Sequence, residues 1–309
     1  MLSTAVSFLA QTVRLSCPIL LASLGGVYAS RSGVLNISLE GCVLTGSLAG
    51  VIGSYYTGSP FMGLFLGILC GALLGLVHGF FTLNCGGNHA VIGTGINIFC
   101  TGITAYTFRA IFASSTTTTV KVKGFSNAGI PVLRNIPVIG PIIFKQNIFV
   151  FIAIFMVIFT YIYLYKTMAG LNHVSCGENS HAADSLGIKV VKIRYIATIV
   201  SSVMAAIGGV ALSIGNINTF VEDMSAGKGW IALAALSFGR WTPIGVALAS
   251  ILFGLADAFQ LRMQIAMTDA PYQYFQMIPY IVTIIVLIWT GRKGNLGPKT
   301  GEFFEKEAK

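Results

Sequence analysis

The chain has 309 residues, of which 55% are hydrophobic and only 9% charged, and its formal net charge is +9. Soluble domains carry about 25% charged residues, so the composition excludes an ordinary soluble domain. It predicts an all-α, polytopic transmembrane bundle, because backbone groups in lipid must be hydrogen-bonded within helices. The 36 glycines are typical of helices that pack closely in a bilayer.

The apolar segments predict about eight to ten membrane segments, some of them short or broken, since a crossing helix needs about 20 apolar residues. They lie at 5–28, 37–56, 62–84, 91–113, 147–165, 195–214, 230–239, 243–259 and 275–290. We expect one transmembrane domain over residues 1–309, in which 230–239 is too short to cross unaided.

A polar break follows the first apolar segment and contains Asn36, Ser38 and Glu40. An ionisable side chain near membrane depth is costly unless it faces a cavity or a partner. Glu40 is therefore a candidate functional residue. The alternative is that Glu40 lies at headgroup level and caps the first turn of a helix.

The segment 114–146 is long for a connection without secondary structure, and loops of this length are commonly functional. It contains prolines and basic residues among apolar neighbours. We interpret it as a loop outside the cytoplasm, either an interfacial cover over the bundle or a docking surface for an external partner.

The loop 167–194 contains a polar segment, 177–190, that predicts a short helix between two apolar segments. Asn179 or Ser180 can cap its start, and Gly187 can end it in the left-handed conformation. A helix of about two turns draws its order from packing. The segment is either a surface loop or a site gripped by another protein. The residues predicted to form that site are Gly177, Glu178, Asn179, Ala182, Ala183, Leu186 and Gly187, with Ala182, Ala183 and Leu186 expected on one face.

A second polar break, 215–229, contains Asn216, Asn218 and Glu222. It follows Ile-Gly-Gly-Val at 207–210, as the first break follows Leu-Gly-Gly-Val at 24–27. Matching breaks in units of opposite orientation indicate an inverted repeat and point to a substrate path in transporters. Asp257, within an apolar segment, is a further candidate unless it lies at the outer face near Arg262.

The basic residues suggest an orientation. If the segments alternate, one side collects Arg31, Lys166, Lys189, Lys192, Arg194, Arg240, Arg292, Lys293, Lys299, Lys306 and Lys309. The positive-inside rule places that side in the cytoplasm. The loop 167–194 and the tail 291–309 are then cytoplasmic and the N-terminus lies outside.

Motifs for catalysis and for metal binding are missing from the sequence. The six cysteines and four histidines form no C-x-x-C or H-E-x-x-H pattern, and there is no G-x-x-x-x-G-K-[ST] phosphate loop. We therefore expect no enzyme activity, metal or cofactor in this chain. Any ATP used must be bound by another polypeptide.

Three ordered motifs, at 33–41, 177–188 and 225–236, resemble the permease subunits of bacterial ABC importers for branched-chain amino acids, simple sugars and nucleosides. The first motif and Phe-Gly-Leu-Ala-Asp-Ala at 253–258 are similar to the nucleoside form. Ser180 and His181 depart from the family, which more often has proline and then a basic or polar residue.

The resemblance implies that 177–188 is a coupling helix seated in a groove of a cytoplasmic ABC ATPase. It also implies a second, homologous permease, an extracytoplasmic binding protein or lipoprotein, no nucleic-acid partner, and a multi-pass position in the bacterial inner membrane. Substrate would pass by alternating access, and its class would be nucleosides or related simple sugars.

We predict that the path is lined by Asn36, Ser38, Glu40, Asn216, Asn218 and Glu222. Alternatively, several of these asparagines satisfy unwound backbone. The competing function is an ion-coupled secondary transporter of small polar solutes, which would need a relay of buried carboxylates; the chain has few acidic residues within its apolar segments.

Overall fold

The computed structural model describes residues 2–112, 121–125, 140–267, 271–291, 298, 300–302 and 304. The described residues form helices joined by turns. The helices are α1 (Leu2–Arg31), α2 (Leu39–Thr57), α3 (Pro60–Gly79), α4 (His89–Phe112), α5 (Ile148–Lys166), α6 (Met168–Glu178), α7 (Ser180–Ser185), α8 (Val190–Val210), α9 (Lys228–Phe238), α10 (Pro243–Ala266), α11 (Tyr272–Gln276) and α12 (Ile278–Gly291). Wider π-helical turns extend α3 over Phe80–Asn84 and α8 over Ala211–Ile217, and another covers Gly140–Phe144 before α5.

The predicted polytopic membrane bundle is confirmed. Six described helices are long and apolar enough to cross a membrane: α1, α3, α4, α5, α8 and α10, with the π turns that extend α3 and α8. The shorter α9 and α12 are also apolar, and α2 is largely buried inside the bundle. The helix α6 was not predicted and lies within the predicted loop 167–194.

Glycines bring α3 and α8 into close contact. Gly63, Gly67, Gly71, Gly75 and Gly79 recur every four residues and are buried along one side of α3. A Cβ atom added at any of them would lie within 3.0 Å of an atom of α8, of its π-helical extension or of α2. Small residues at this spacing let helix backbones approach, so α3 packs along α8 in the antiparallel sense.

The two breaks occupy equivalent places in an inverted pair of units. α1 and α8 cross antiparallel, and a Cβ atom added at Gly25 would meet the carbonyl of Ser201. In the second unit, Gly208 corresponds to Gly25 and Ser201 corresponds to Pro18. A Cβ atom added at Gly208 would meet the carbonyl of Pro18. These reciprocal contacts agree with the predicted inverted repeat.

Polar contacts define the two ends of the bundle. At the α7 end, the Arg31 side chain donates to the Trp241 carbonyl over 3.0 Å, and the Tyr195 hydroxyl contacts the Asn84 side chain over 2.5 Å. At the opposite end, the Ser54 hydroxyl donates to the Lys123 carbonyl over 2.5 Å. The start of α1 and the end of α10 meet at that same end.

The described parts of the long loop pack on the end opposite α7. The Val122 amide donates to the Asn218 carbonyl, and the Phe125 amide donates to the Ile214 carbonyl, each over 3.0 Å. The Phe125 ring lies edge-on against Phe149. Residues 113–120 and 126–139 lie outside the described part of the chain. The packed parts agree with an interfacial cover, and the docking role stays a prediction.

Candidate functional site

The two breaks meet where the first turns of α2 and α9 come together. The Glu40 carboxylate on α2 accepts hydrogen bonds from the Ser225 hydroxyl over 2.6 Å, the Gly227 amide over 3.0 Å and the Gly229 amide over 2.5 Å. A carboxylate at the N-terminus of a helix is stabilised by the helix dipole and by the free amides of the first turn. Glu40 therefore caps α9, although the residues that donate to it lie at least 185 positions later in the chain.

Asn36 and Ser38 hold the first break against α8. The Asn36 side-chain oxygen accepts from the Ser38 amide over 3.1 Å and from its hydroxyl over 2.6 Å. The Asn36 amide group donates to the hydroxyls of Ser201 and Ser202 over 3.0 and 3.3 Å. Asn36 and Ser38 are both buried. In this conformation the Asn36 oxygen satisfies one backbone amide of the break, that of Ser38. The path role of both residues stays a prediction.

The other predicted path residues lie at the end opposite α7. Asn216 is half-buried, while Asn218 is exposed and has a φ of 60°. Glu222 forms a bidentate ion pair with Arg109, in which both N···O distances are 2.7 Å. The Arg109 hydrogen bonds hold the pKa of Glu222 below its ordinary value. The six predicted path residues therefore form two groups, and Glu40 belongs with Ser225 rather than with Glu222.

Asn97, a polar residue within α4 that was not predicted, supports the first break. Its side-chain oxygen accepts from the Gly41 amide over 2.8 Å, and its amide donates to the Ile37 carbonyl over 3.0 Å. A side-chain amide within an apolar segment is costly unless it is hydrogen-bonded. An asparagine within an apolar segment was therefore the sequence signal that could have identified Asn97.

A second missed residue, Arg194, connects three parts of the α7 end. Its buried guanidinium donates to the carbonyls of Ser32 over 3.2 Å, Cys176 over 3.3 Å and Glu302 over 3.1 Å. Ser32 belongs to the first break and Cys176 to the last turn of α6, while Glu302 belongs to the tail. A basic residue in an apolar helix was the signal, because a buried charge is costly unless it is paired or hydrogen-bonded.

The predicted coupling segment is divided between two helices. Gly177 and Glu178 end α6, a helix that was not predicted, and only the residues after Asn179 form the short helix α7. Gly177 is buried, and a Cβ atom there would overlap the Arg31 carbonyl, whereas Glu178 is exposed. Asn179 caps α7, since its side-chain oxygen accepts from the Ala182 amide over 3.0 Å. This confirms the predicted cap.

The predicted single face of α7 is wrong. Ala182 is exposed and Leu186 is 80% exposed, but Ala183 is only 2% exposed and packs with Cys176, Val190 and Phe304. Leu186 is the C-cap of the helix, and its amide donates to the Ala182 carbonyl over 3.3 Å, so Ala182 and Leu186 share the exposed side while Ala183 faces inward. Gly187 closes that turn with a φ of 82° and open space around it, as predicted for a left-handed ending.

Asp257 has a partner that the sequence analysis did not identify. Its carboxylate accepts from the Lys228 ammonium over 2.8 Å. Arg262, the expected neighbour, instead donates to the Ser7 hydroxyl over 2.8 Å. Among the residues that the structure describes, no group of three histidine, cysteine, aspartate or glutamate residues is placed to hold a metal ion.

Comparison with known proteins gives consistent matches over most of the chain. A family model described as "Branched-chain amino acid transport system / permease component" matches residues 8–287. The nucleoside ABC transporter permease protein NupC of Lactococcus lactis subsp. cremoris is 35% identical over 88% of both chains. The guanosine ABC transporter permease protein NupQ of Bacillus subtilis is 34% identical over 89% of both chains.

A third relative carries a different substrate in its name. The putative glucose ABC transporter permease protein TsgC13 of Haloferax volcanii is 33% identical over 85% of this chain and 79% of its own length. No solved structure shows a significant match to this chain.

Proposed function

The chain belongs to the branched-chain amino acid transport system permease component family, and from this premise we propose that it is the membrane-spanning subunit of an ABC importer for nucleosides. The names of the two bacterial nucleoside relatives support that substrate class. A nucleoside and a simple sugar both present ring hydroxyls. The glucose relative is therefore compatible with a path that recognises hydroxyl groups.

ATP is bound and hydrolysed by a separate cytoplasmic subunit in this proposal, because the sequence holds no phosphate-binding loop of the usual pattern. The ATPase grips the exposed surface of α7, to which Ala182 and Leu186 contribute. A second permease completes the path, and an extracytoplasmic binding protein or lipoprotein delivers substrate.

One structural observation carries the coupling part of the proposal. α7 is an exposed, capped helix, and Arg194 hydrogen-bonds both the Cys176 carbonyl before it and the Ser32 carbonyl at the first break. A displacement of α7 would therefore act on the break through a short chain of hydrogen bonds. The first break is followed in the chain by Glu40, which accepts a hydrogen bond from the Gly229 amide at the start of α9.

The orientation follows from the positive-inside rule. We place the α7 end, with Arg31, Arg194 and Arg240, in the cytoplasm of a bacterial inner membrane. The N-terminus, Glu222 and the described parts of the long loop then face outward, where the binding protein docks. Approach of the two ATPase subunits would move α7 and rock the helices about the two breaks.

The test is uptake of radiolabelled guanosine by membranes that contain the complete importer. We expect Ala182→Arg to abolish uptake while the chain still inserts, because a long charged side chain would block close approach of the ATPase. Ala182→Ser is the matched control and should retain uptake. A thiol introduced by Leu186→Cys should crosslink to the ATPase subunit.

Two results would contradict this proposal. One is unchanged uptake by Ala182→Arg together with no crosslink from the Leu186→Cys thiol. The other is guanosine uptake driven by an ion gradient in membranes without any ATPase, which would support the secondary-transporter alternative.

A further inference from the structure

A cavity of about 210 Å³ lies between α1, α9, α10, α11 and α12. Its polar lining includes Lys228, Asp257, Gln260, Gln276 and Tyr280. These side chains supply an ammonium, a carboxylate, two amides and a phenol. The cavity therefore presents several hydrogen-bond donors and acceptors on a wall that is otherwise apolar.

An ion pair forms part of this wall. The Lys228 ammonium lies 2.8 Å from the Asp257 carboxylate, and the two side chains are only 17% and 9% exposed. Asp257 lies in α10, one of the long apolar helices. Charged side chains inside membrane helices are costly and usually mark a functional site or substrate pathway.

Helix stability does not explain why a lysine stands at this position. Lys228 is the first residue of α9, where the helix dipole disfavours a cation. The residues on both sides of it, Gly227 and Gly229, donate their amides to Glu40. Glu40 thus fixes the turn that presents Lys228 to the cavity. The Tyr280 hydroxyl, which donates to the Ala226 carbonyl over 3.2 Å, holds α12 against the same turn.

We propose that this cavity binds the sugar hydroxyls of a nucleoside in transit, with Lys228 and Asp257 contacting the solute and Glu40 acting as a positioning residue. This inference rests on the proposed function. The paired charges cancel, so the site suits a neutral solute, whereas an ionic one would leave an uncompensated charge. A hydroxyl group both donates and accepts, which matches an ammonium beside a carboxylate.

The first test separates binding from structure. Either single change, Lys228→Met or Asp257→Leu, leaves an unpaired charge in an apolar setting, so each chain is expected to lose stability. The double change removes both charges and should recover the thermal midpoint. We expect the double variant in the complete importer to lose at least about tenfold in maximal guanosine uptake, equivalent to about 1.4 kcal/mol. Uptake within about twofold of the unsubstituted importer would overturn the proposal, because a purely structural pair predicts recovery.

The second test detects the solute directly. Gln260→Cys is introduced into a chain that also carries Cys70→Ser and Cys85→Ser, and the rate of maleimide labelling is measured in the complete importer. Guanosine should slow labelling at this position but not at Ile265→Cys, which lies on the same helix and is 78% exposed. Adding Glu40→Gln should weaken the protection at a temperature where the chain remains folded, and Glu40→Asp should restore part of it.

The outcomes distinguish the two proposals. Normal guanosine uptake without protection of the Gln260→Cys thiol overturns the cavity assignment alone. Failure of the unsubstituted importer to take up either guanosine or uridine overturns the proposed function, and the cavity assignment with it.

Discussion

Glu40 accepts a hydrogen bond of 2.6 Å from the Ser225 hydroxyl, although 185 residues separate them along the chain. The same carboxylate receives the amides of Gly227 and Gly229. The starts of α2 and α9 are therefore joined by one side chain. A change there should affect both breaks together.

Glu40→Gln should lower the free energy of unfolding by about 2 to 4 kcal/mol, since hydrogen bonds to a charged group contribute about 1.5–3 kcal/mol each. Glutamine also presents an NH₂ group to donors that need an acceptor. The measurement is thermal unfolding of the purified chain in detergent. Glu222→Gln is the control and should change the midpoint little, because its pair with Arg109 is exposed. Equal shifts in both variants would contradict this explanation.

Gly209→Ala should destabilise the bundle by about 1–3 kcal/mol, the usual cost of overpacking. A Cβ atom at this position would overlap the Val43 carbonyl on α2. Gly102→Ala is the matched control in α4, because a Cβ atom there meets nothing within 4 Å. That change should be neutral or stabilise by up to about 1 kcal/mol. Thermal unfolding of the two variants side by side tests the prediction, and a neutral Gly209→Ala would show that α2 and α8 do not pack this closely.

Phe304→Ala should loosen the tail from α7. The Phe304 side chain is 8% exposed and packs with Ala183, and the Arg194 guanidinium lies 5.9 Å from its ring centre. Loss of the ring should expose the inward side of α7 at Ala183, so an Ala183→Cys thiol should react with maleimide much faster in the Phe304→Ala background. Leu186→Cys should react rapidly in both backgrounds. Unchanged protection of the Ala183→Cys thiol would mean that Phe304 does not cover Ala183.

Acidification should destabilise the chain partly through His173. Burial lowers the pKa of His173 below its ordinary value of 6.5, against the opposing effect of its hydrogen bond to the Tyr28 carbonyl. As the pH falls below 6.5, the unfolded chain binds this proton before the folded chain does, so stability decreases until the lowered pKa is reached.

His173→Gln should reduce the dependence of the thermal midpoint on pH between about 5 and 8, a range that spans ordinary histidine titration. His181→Gln, which changes an exposed histidine, is the comparison variant. A pH profile that is the same in His173→Gln and in the unsubstituted chain would exclude His173 as a contributor.

Most of the helices were predictable because their signal is local. A run of apolar residues long enough to cross a bilayer predicts a membrane helix directly from the sequence. The polar breaks after 24–27 and 207–210 are likewise recognised as polar residues that interrupt apolar segments. The helix α6 was missed because it is short and contains both polar and apolar residues. Its order depends on packing, including the contact between His173 and the Tyr28 carbonyl.

The site was predictable only in part. Glu40 was identified because an acidic residue among apolar neighbours is unusual, but its three donors could not be identified from that pattern. Lys228 was overlooked because a lysine in a polar break has no distinguishing local feature. Its importance follows from its distance to Asp257 and from the cavity that both residues line.

Composition and short-range patterns were sufficient to determine an all-helical membrane bundle, its two breaks and the capped turn at Asn179, because hydropathy and capping act over a few neighbouring residues. Only the tertiary structure decided that Ala183 faces inward, that Glu40 caps α9 and that Lys228 pairs with Asp257. These contacts join residues far apart in the chain, and they depend on how closely glycine-lined helices approach one another.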